Sequence, residues 1–239
     1  MVHKMALVKG LRPTHPGHDP ELPPCPLCGA PAYKGYRFER PDRIEHDCDC
    51  AYERWEAYYA ALERAWRVWK YPRDYRDSLP EVYRELLDRP FDLKGEREAA
   101  ERLERWTREG GLLYLFGPPG AGKTHLAVRA GWKRAQEGHR VLFRTEAEFL
   151  EEARKAALDE ETPPFFGGAS LVIDDVGLVR PTPFAVATLL SLVEEARQRR
   201  RSLLMAGVLP PAELAKRFGE HADAFLARVS PHSVLIPVR

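Results

Sequence analysis

One short glycine-rich stretch restricts the folds open to this 239-residue chain more than any other feature. The apolar run Leu112–Phe116 has the length and composition of a buried strand. The turn Gly117-Pro118-Pro119-Gly120-Ala121-Gly122 follows, and then Lys123-Thr124 open an amphipathic helical pattern. This is G-x-x-x-x-G-K-T between a predicted strand and a predicted helix, the context in which the motif forms a phosphate-binding loop.

The chemistry of this loop predicts a nucleoside triphosphate as the ligand. Backbone N–H groups of the glycine turn converge on phosphate oxygens, and the helix N-terminus adds its positive dipole end. Lys123 is expected to reach the β- and γ-phosphates, and the Thr124 hydroxyl to bind Mg²⁺. The predicted nucleotide contacts come from Gly117, Pro118, Pro119, Gly120, Ala121, Gly122, Lys123, Thr124, His125 and Asp174.

A second apolar run supplies the acidic half of the site. Leu171-Val172-Ile173 ends in Asp174-Asp175, which places carboxylates where a buried strand reaches the edge of a sheet. Asp174 is predicted to hold Mg²⁺, and Asp175 to polarise the attacking water. The alternative is a pair of solvated acids at a strand end.

Buried strands alternate with helical patterns from residue 112 to the C-terminus. Strands are predicted at Leu112–Phe116, Val141–Thr145, Leu171–Asp175, Ser202–Val208 and Ser233–Val238. Because buried strands that alternate with helices form parallel sheets covered on both faces, the prediction is an α/β fold with a five-stranded parallel sheet. We assign residues 71–239 to this ATPase domain, residues 25–70 to a zinc-bound, helical, partner-binding module, and residues 1–24 to a loosely ordered arm.

All four cysteines fall in the N-terminal module. They form a Cys25-x-x-Cys28-Gly knuckle and a Cys48-x-Cys50 pair. Four thiolates suit tetrahedral Zn²⁺ with no open position, so a structural zinc site is predicted. His46 is a substitute ligand if Cys48 or Cys50 points away, and free or redox-active cysteines or an iron–sulfur cluster are the alternatives.

An aromatic stripe follows the cysteines, in a helix predicted over Ala51–Lys70. It is made of Tyr52, Trp55, Tyr59, Leu62, Trp66 and Trp69, which are spaced three and four residues apart. The stripe either packs inside this protein or docks a partner, since aromatic residues dominate interface hot spots. The run Tyr71-Pro72 is predicted to stop the helix and to begin a connector.

Composition excludes some classes of protein. The net charge of +1 does not indicate a general nucleic-acid binder, so any DNA contact must come from local patches such as Arg197–Arg201. Solvation of that run, at the end of a predicted helix, is the other interpretation. No apolar run is long enough to span a membrane, and we expect a cytoplasmic protein.

With both nucleotide-binding elements placed, the chain resembles the helicase-loader branch of the AAA+ ATPases, the DnaC/DnaI type, and the related IstB-type transposition helpers. The matching segments are Gly117–Ala127, the VLFRTEAEFLEEARKA stretch, Val172–Gly177 and Leu209–Leu214. This resemblance implies ATP-dependent delivery of a replicative DNA helicase onto single-stranded DNA. It also implies self-association through the ATPase domain, with Arg228 of one subunit reaching the nucleotide of the next.

Two departures from the family pattern predict slow hydrolysis. The family usually has Glu where this chain has Asp175, which shortens the side chain by about 1.5 Å, and a misplacement of ~1 Å can cost ~10²-fold in rate. The strand that ends in Ala206-Gly207-Val208 lacks the usual water-orienting Asn, and the chain contains no Asn at all. An ATP-gated adaptor with negligible turnover and an IstB-like helper acting on duplex DNA therefore remain as alternatives.

Overall fold

The computed structural model describes residues 22–33, 45–46, 48, 50, 55–89, 97–158 and 169–236. Contacts divide the chain into two compact units, Met1–Lys70 and Tyr71–Arg239. Most of the predicted N-terminal arm and the acidic loop at 159–168 lie outside the described residues. Within the part of the chain that is described, no helix is long and apolar enough to cross a membrane.

The first unit is a small core around the cysteines. Strand β1 (Ala32–Tyr33) pairs antiparallel with β2 (Glu45–His46), and helix α1 (Trp55–Ser78) begins in this unit. The buried hydrophobic residues among those described are Leu22, Cys25, Ala32, Cys50, Tyr58, Leu62 and Trp66. Cys25 and Cys50 are therefore part of the apolar core of this unit, Cys48 packs against it, and Cys28 is exposed.

Helix α1 does not stop at Tyr71-Pro72, so that prediction was wrong. The helix continues through Pro72 to Ser78. An internal proline removes one backbone hydrogen bond, a cost that tertiary packing can outweigh. Here Tyr75 and Leu79, in the turns after Pro72, are fully buried in the core of the second unit, and the Tyr75 hydroxyl donates to the carbonyl of Val128 at 3.2 Å.

The second unit is a parallel α/β sheet. After the short helix α2 (Glu81–Arg84) and a 3₁₀ turn (Glu85–Leu87), the described elements are α3 (Arg97–Glu109), β3 (Leu112–Phe116), α4 (Lys123–Gln136), β4 (Val141–Thr145), α5 (Glu146–Leu158), β5 (Ser170–Val176), α6 (Pro183–Gln198), β6 (Leu203–Gly207), α7 (Pro211–Lys216), α8 (Ala222–Val229) and β7 (Ser233–Leu235). The strand order is β4-β5-β6-β3-β7, and each neighbouring pair is parallel. The predicted five-stranded parallel sheet is confirmed.

Helices cover both faces of this sheet. On one face, residues of α3 and α4 pack with Leu113 and Leu115 of β3. On the other face, α5, α6, α7 and α8 pack with Tyr114 and with Leu203 and Met205 of β6. The alternation along β3, with Leu113 and Leu115 to one side and Tyr114 to the other, follows from the two-residue repeat of a strand.

A buried arginine connects the amino-terminal ends of two strands, at the end of the sheet opposite the phosphate loop. Arg134 of α4 donates to the side chains of Ser170 at 2.8 Å and Ser202 at 3.0 Å, which lie at the starts of β5 and β6. It also donates to the carbonyls of Trp106 at 3.1 Å and Thr107 at 2.8 Å, near the end of α3. Carbonyls at a helix C-terminus carry negative partial charge and stabilise this cation. Burial lowers the pKa of Arg134, whereas the charge of Glu137 raises it and also stabilises the cation.

Replacing Arg134 with methionine is expected to destabilise the second unit by about 2–4 kcal/mol, because its buried acceptors lose their donors. Urea unfolding measures the loss. The matched control is Arg97→Met, since Arg97 is exposed and makes only a surface ion pair with Glu101; that variant should stay within about 0.5 kcal/mol of the unaltered chain. Equal stability of the two variants would contradict a structural role for Arg134.

Candidate nucleotide site and cysteine cluster

The phosphate loop connects β3 to α4 and depends on glycine where it begins. Gly117 has φ 152°, and a Cβ there would lie 2.1 Å from the carbonyl oxygen of Ile236. The amide of Ile236 donates to the carbonyl of Phe116 at 2.7 Å, so Ile236, just after β7, packs directly against the start of the loop. A side chain at position 117 would push these two segments apart.

Lys123 lies inside this loop. Its Nζ donates to the carbonyl of Pro118 at 2.8 Å, and the residue is only 8% exposed. Burial lowers the pKa of Lys123, whereas the nearby carboxylates of Asp174 and Asp175 raise it. The ammonium group is therefore held at the loop beside the two predicted acids.

Asp174 and Thr124 come together at the carboxyl edge of the sheet. Asp174 is 2% exposed, its side chain interacts with the Thr124 hydroxyl, and burial raises its pKa while that hydrogen bond lowers it. Its Oδ2 is buried and, among the described residues, has no hydrogen-bond partner. An orphaned carboxylate oxygen next to a threonine hydroxyl is a donor set that fits Mg²⁺.

Asp175 has an unusual backbone conformation. Its φ is 60°, in the left-handed region that non-glycine residues rarely adopt. The pairing of β5 with β6 shifts here: Ile173 lies opposite Met205, but Val176 lies opposite Gly207. Between these two pairs β5 contains one residue more than β6, which is a β-bulge. Bulges of this kind often lie next to functional sites and change the direction of a side chain.

Two predicted site residues, His125 and Arg228, make contacts within the chain, and their predicted roles stay predictions. The ring of His125 faces the segment before α3, and its Nε2 lies 3.2 Å from the carbonyl oxygen of Arg89. Arg228 of α8 donates to the carboxylate of Glu194 on α6 and, at 2.6 Å, to the carbonyl of Ala224. Within one chain, Arg228 is therefore held by α6; its role as a finger between subunits stays a prediction.

The segment that contacts the phosphate-loop helix was not predicted from the sequence. Besides the His125 contact, Arg129 of α4 donates to the carbonyl of Leu87. Tyr83 packs edge-on against Phe143 of β4 with ring centroids 5.5 Å apart. The apolar residues Tyr83, Leu86 and Leu87 were the available signal, but their run is too short to show a period.

The four cysteine sulfurs form a compact cluster. All four ligand atoms, from Cys25, Cys28, Cys48 and Cys50, lie within 4.8 Å of one another. Four sulfurs at about 2.3 Å from one ion lie about 3.8 Å apart, so the cluster fits a tetrahedral Zn²⁺. The knuckle is closed by hydrogen bonds from the Cys25 amide to Ala30 and from the Gly29 amide to Cys25, both at 2.8 Å.

His46 is not a substitute ligand. Its Nδ1 lies 2.6 Å from the Tyr58 hydroxyl and its Nε2 lies 3.1 Å from the carbonyl oxygen of Pro23. A neutral ring satisfies both contacts, with Nε2–H donating to Pro23 and Nδ1 accepting from Tyr58. Burial lowers the pKa of His46, which favours this neutral form.

The aromatic stripe is largely internal. Leu62 and Trp66 are buried in the same cluster as Cys25 and Cys50, and Tyr59 and Trp69 pack partly against it. The side chains of Tyr52 and Trp55 lie outside the described residues. Leu62 and Trp66 therefore pack inside the protein. Because they are buried, these two residues are not available to contact a partner.

Comparison with known proteins decides the family. The model of the IstB-like ATP binding protein family matches residues 97–239. The chain belongs to this family. The ATP-binding protein of insertion sequence IS21 from Pseudomonas aeruginosa is 30% identical over 133 residues, which cover 53% of this chain and 50% of that protein. The ATP-binding protein of IS5376 from Geobacillus stearothermophilus is 26% identical over 170 residues, 66% of each.

Among solved structures, the DnaC helicase loader matches 67% of this IstB-like chain and 100% of its own, with 20% identity and a TM-score of 0.55. At that identity the match shows a shared fold. The chain spans about half the length of the IS21 relative. The resemblance indicated by the motifs is confirmed, and the family is an ATP-binding one.

Proposed function

We propose that this chain is a slow, assembly-dependent ATPase that delivers a replicative DNA helicase onto single-stranded DNA. The observation that carries the ATP-dependent part is the convergence of Lys123, Thr124 and the orphaned carboxylate of Asp174 at one sheet edge. A cation and a carboxylate next to a phosphate loop can bind a triphosphate and its metal ion together.

Each residue of the site has a distinct task in this proposal. Lys123 holds the β- and γ-phosphates, and Thr124 and Asp174 hold Mg²⁺, which when bound neutralises phosphate charge. Asp175 orients the attacking water. Its reach is short by one methylene, and no asparagine is available to help it, so turnover of a single subunit should be slow.

The helicase part of the proposal rests on the first unit and on the shared fold. The family model begins at residue 97, so the cysteine unit is an addition ahead of the matched ATP-binding region. A small metal-bound unit joined to an ATPase is suited to grip a partner while the ATPase meets DNA. The fold is that of a protein described as the DnaC helicase loader.

A second function, assistance to a transposase on duplex DNA, is favoured by the sequence relatives. The IS21 and IS5376 proteins are described as ATP-binding proteins of insertion sequences. Their identity to this chain, 26–30%, is higher than that of the DnaC structure. The two functions differ in the DNA that the ATP-bound protein should prefer.

DNA preference and partner capture test the proposal. With ATP present, a helicase loader should bind an oligo-dT strand more tightly than a duplex of equal length and should co-purify with a replicative helicase. A preference for duplex DNA, without helicase binding, would instead support the transposition role. ATP-dependent DNA binding with no turnover under any condition would indicate an ATP-gated adaptor.

Arg228 is expected to supply charge to the nucleotide of a neighbouring subunit. Such an arginine is worth roughly 10³–10⁵ in rate in other phosphoryl-transfer systems. Arg228→Ala should therefore remove DNA-stimulated turnover while leaving ATP affinity within about 3-fold. Mixing Arg228→Ala with Lys123→Ala subunits should restore part of the turnover, because the intact phosphate loop of one borrows the arginine of the other.

The ion pair with Glu194 provides the control. If Arg228 serves only to hold α8 against α6, Glu194→Gln should reproduce the loss caused by Arg228→Ala. If Arg228 acts between subunits, Glu194→Gln should release the arginine and leave stimulated turnover intact. No recovery in confirmed mixed assemblies would count against the finger.

A further inference from the structure

The loop that follows Asp175 is held by two charged side chains from different parts of the chain. Glu146, the first residue of α5, accepts hydrogen bonds from the amides of Gly177 and Val179, each at 3.0 Å. Arg217, just after α7, donates to the carbonyl oxygens of the same two residues, at 3.3 Å for Val179. Both the N–H and the C=O groups of Gly177 and Val179 are thus used.

The two charged residues also support one another. Glu146 is 3% exposed; its burial raises the pKa of the carboxyl group, while the Val179 and Gly177 amides and the positive charge of Arg217 lower it. A buried carboxylate with two amide donors and a nearby guanidinium is satisfied and rigid. We call this pair, Glu146 and Arg217, the loop clamp.

The clamp reaches the strained residue Asp175 indirectly, through the loop that follows it. The amide of Leu178 donates to the carbonyl of Asp175 at 3.1 Å, which ties the loop back to the bulge. On the other side of the bulge, a Cβ at Gly207 would lie 2.4 Å from the carbonyl oxygen of Val176 and 2.8 Å from the Tyr114 hydroxyl. The bulge therefore requires glycine at position 207, and its conformation is supported by the hydrogen-bonded loop at 177–179.

We infer that Glu146 and Arg217 are positioning residues for ATP hydrolysis, which hold the carboxylate of Asp175 in place by fixing the loop behind it. The inference rests on the proposed function, because it assigns Asp175 a role in turnover. A left-handed aspartate is strained and persists only where its surroundings determine it. The clamp and the glycine at 207 are those surroundings.

This arrangement leaves no room for a side chain at position 207, the last residue of β6. Position 207 faces the same side of the sheet as Leu203 and Met205, where the Tyr114 hydroxyl already donates to the carbonyl of Leu209 at 2.7 Å. The space next to the bulge is filled by backbone and by Tyr114. Water orientation then depends on Asp175 alone, which makes its support decisive.

The test compares kcat and ATP affinity in the full chain with DNA present. Because displacement of a reacting group by ~1 Å can cost ~10²-fold, Glu146→Ala should lower kcat by roughly that factor and leave the Kd for ATP within about 3-fold. Glu146→Gln keeps an oxygen that accepts both amides and should recover kcat to within about 5-fold of the unaltered chain. Arg217→Ala should also lower kcat. Because Arg217 is exposed, this variant provides the test if Glu146→Ala does not fold.

Matched controls separate positioning from general effects. Glu152 on the same helix and Arg97 on α3 make surface ion pairs, so Glu152→Ala and Arg97→Ala should leave kcat unchanged. Hydrogen exchange should be faster across residues 175–179 in Glu146→Ala and Arg217→Ala but not in the controls.

Two different failures are distinguishable. If the unaltered chain never hydrolyses ATP, with or without DNA, the proposed ATPase function falls. If the unaltered chain turns over and both clamp variants keep its kcat, or if all loss is in ATP affinity, the inference falls while the proposed function stands.

Discussion

Replacing Lys123 with alanine is expected to remove most ATP binding, raising the Kd by about 10- to 150-fold. Lys123 is the cation inside the phosphate loop, and its ammonium is already held there by the Pro118 carbonyl at 2.8 Å. A charge-assisted contact of this kind to phosphate contributes about 1.5–3 kcal/mol, and loss of about 2.7 kcal/mol corresponds to 100-fold in affinity. The fold should survive, because removal of a buried cation also removes its desolvation cost.

Thermal unfolding with and without ATP measures this effect. A ligand at 100 times its Kd stabilises the folded state by about 2.7 kcal/mol, so ATP should raise the Tm of the unaltered chain. The rise should be much smaller in Lys123→Ala and persist in Lys155→Ala, since Lys155 makes only a surface ion pair with Glu151 at 3.8 Å. An ATP-induced rise that survives undiminished in Lys123→Ala would contradict the assignment of the phosphate loop.

The sheet was predictable from the sequence because its signals are local. Each of the five strands is a short apolar run, and β3 and β4 begin and end at the predicted residues. The loop between Phe116 and Lys123 requires glycine for a local reason, because Gly117, Gly120 and Gly122 have φ values of 152°, 80° and 82°. The position of Asp174 follows from its place at the end of such a run.

What could not be predicted depends on contacts between distant residues. Pro72 is a helix breaker by local rules, yet α1 continues past it to Ser78. The reason is that Tyr75, in the last turn, and Leu79, just after the helix, are both buried in the core of the second unit. The bulge at Asp175 depends on Gly207, 32 positions further along, together with the clamp. The roles of Glu146 and Arg217 could not be predicted from the sequence, because nothing in the pattern distinguishes them from the many other charged residues of the chain.

The interior of the first unit was undecided for a similar reason. A stripe of aromatic residues has the same spacing whether it faces a core or a partner. Only the placement of the cysteines against Leu62 and Trp66 decides between them. The same placement excludes His46 from the metal cluster, since both of its ring nitrogens are already bonded within that core.

Removing the metal is expected to unfold the first unit. The described core of this unit is small, and below about 70–80 residues a single hydrophobic core rarely stabilises a fold without a metal, disulfides or another support. None of the four cysteines forms a disulfide, so no such bond supports this unit. Binding of structural zinc contributes about 10–16 kcal/mol in small zinc peptides, which exceeds the net stability of most small domains.

Cys25→Ser is the most informative single change, because Cys25 is both a predicted ligand and a buried member of the core, at 2% exposure. Elemental analysis should find one Zn²⁺ for each unaltered chain and less in the variant, and limited proteolysis should cut the variant within residues 22–70.

The matched control is Ala57→Ser, at an exposed position on α1 in the same unit. Since the phosphate loop lies in the second unit, ATP binding should be largely retained in both variants, and EDTA should reproduce the effect of Cys25→Ser on the unaltered chain. Metal-free protein whose N-terminal unit resists protease as well as the zinc-loaded form would show that the cysteines pack without an ion.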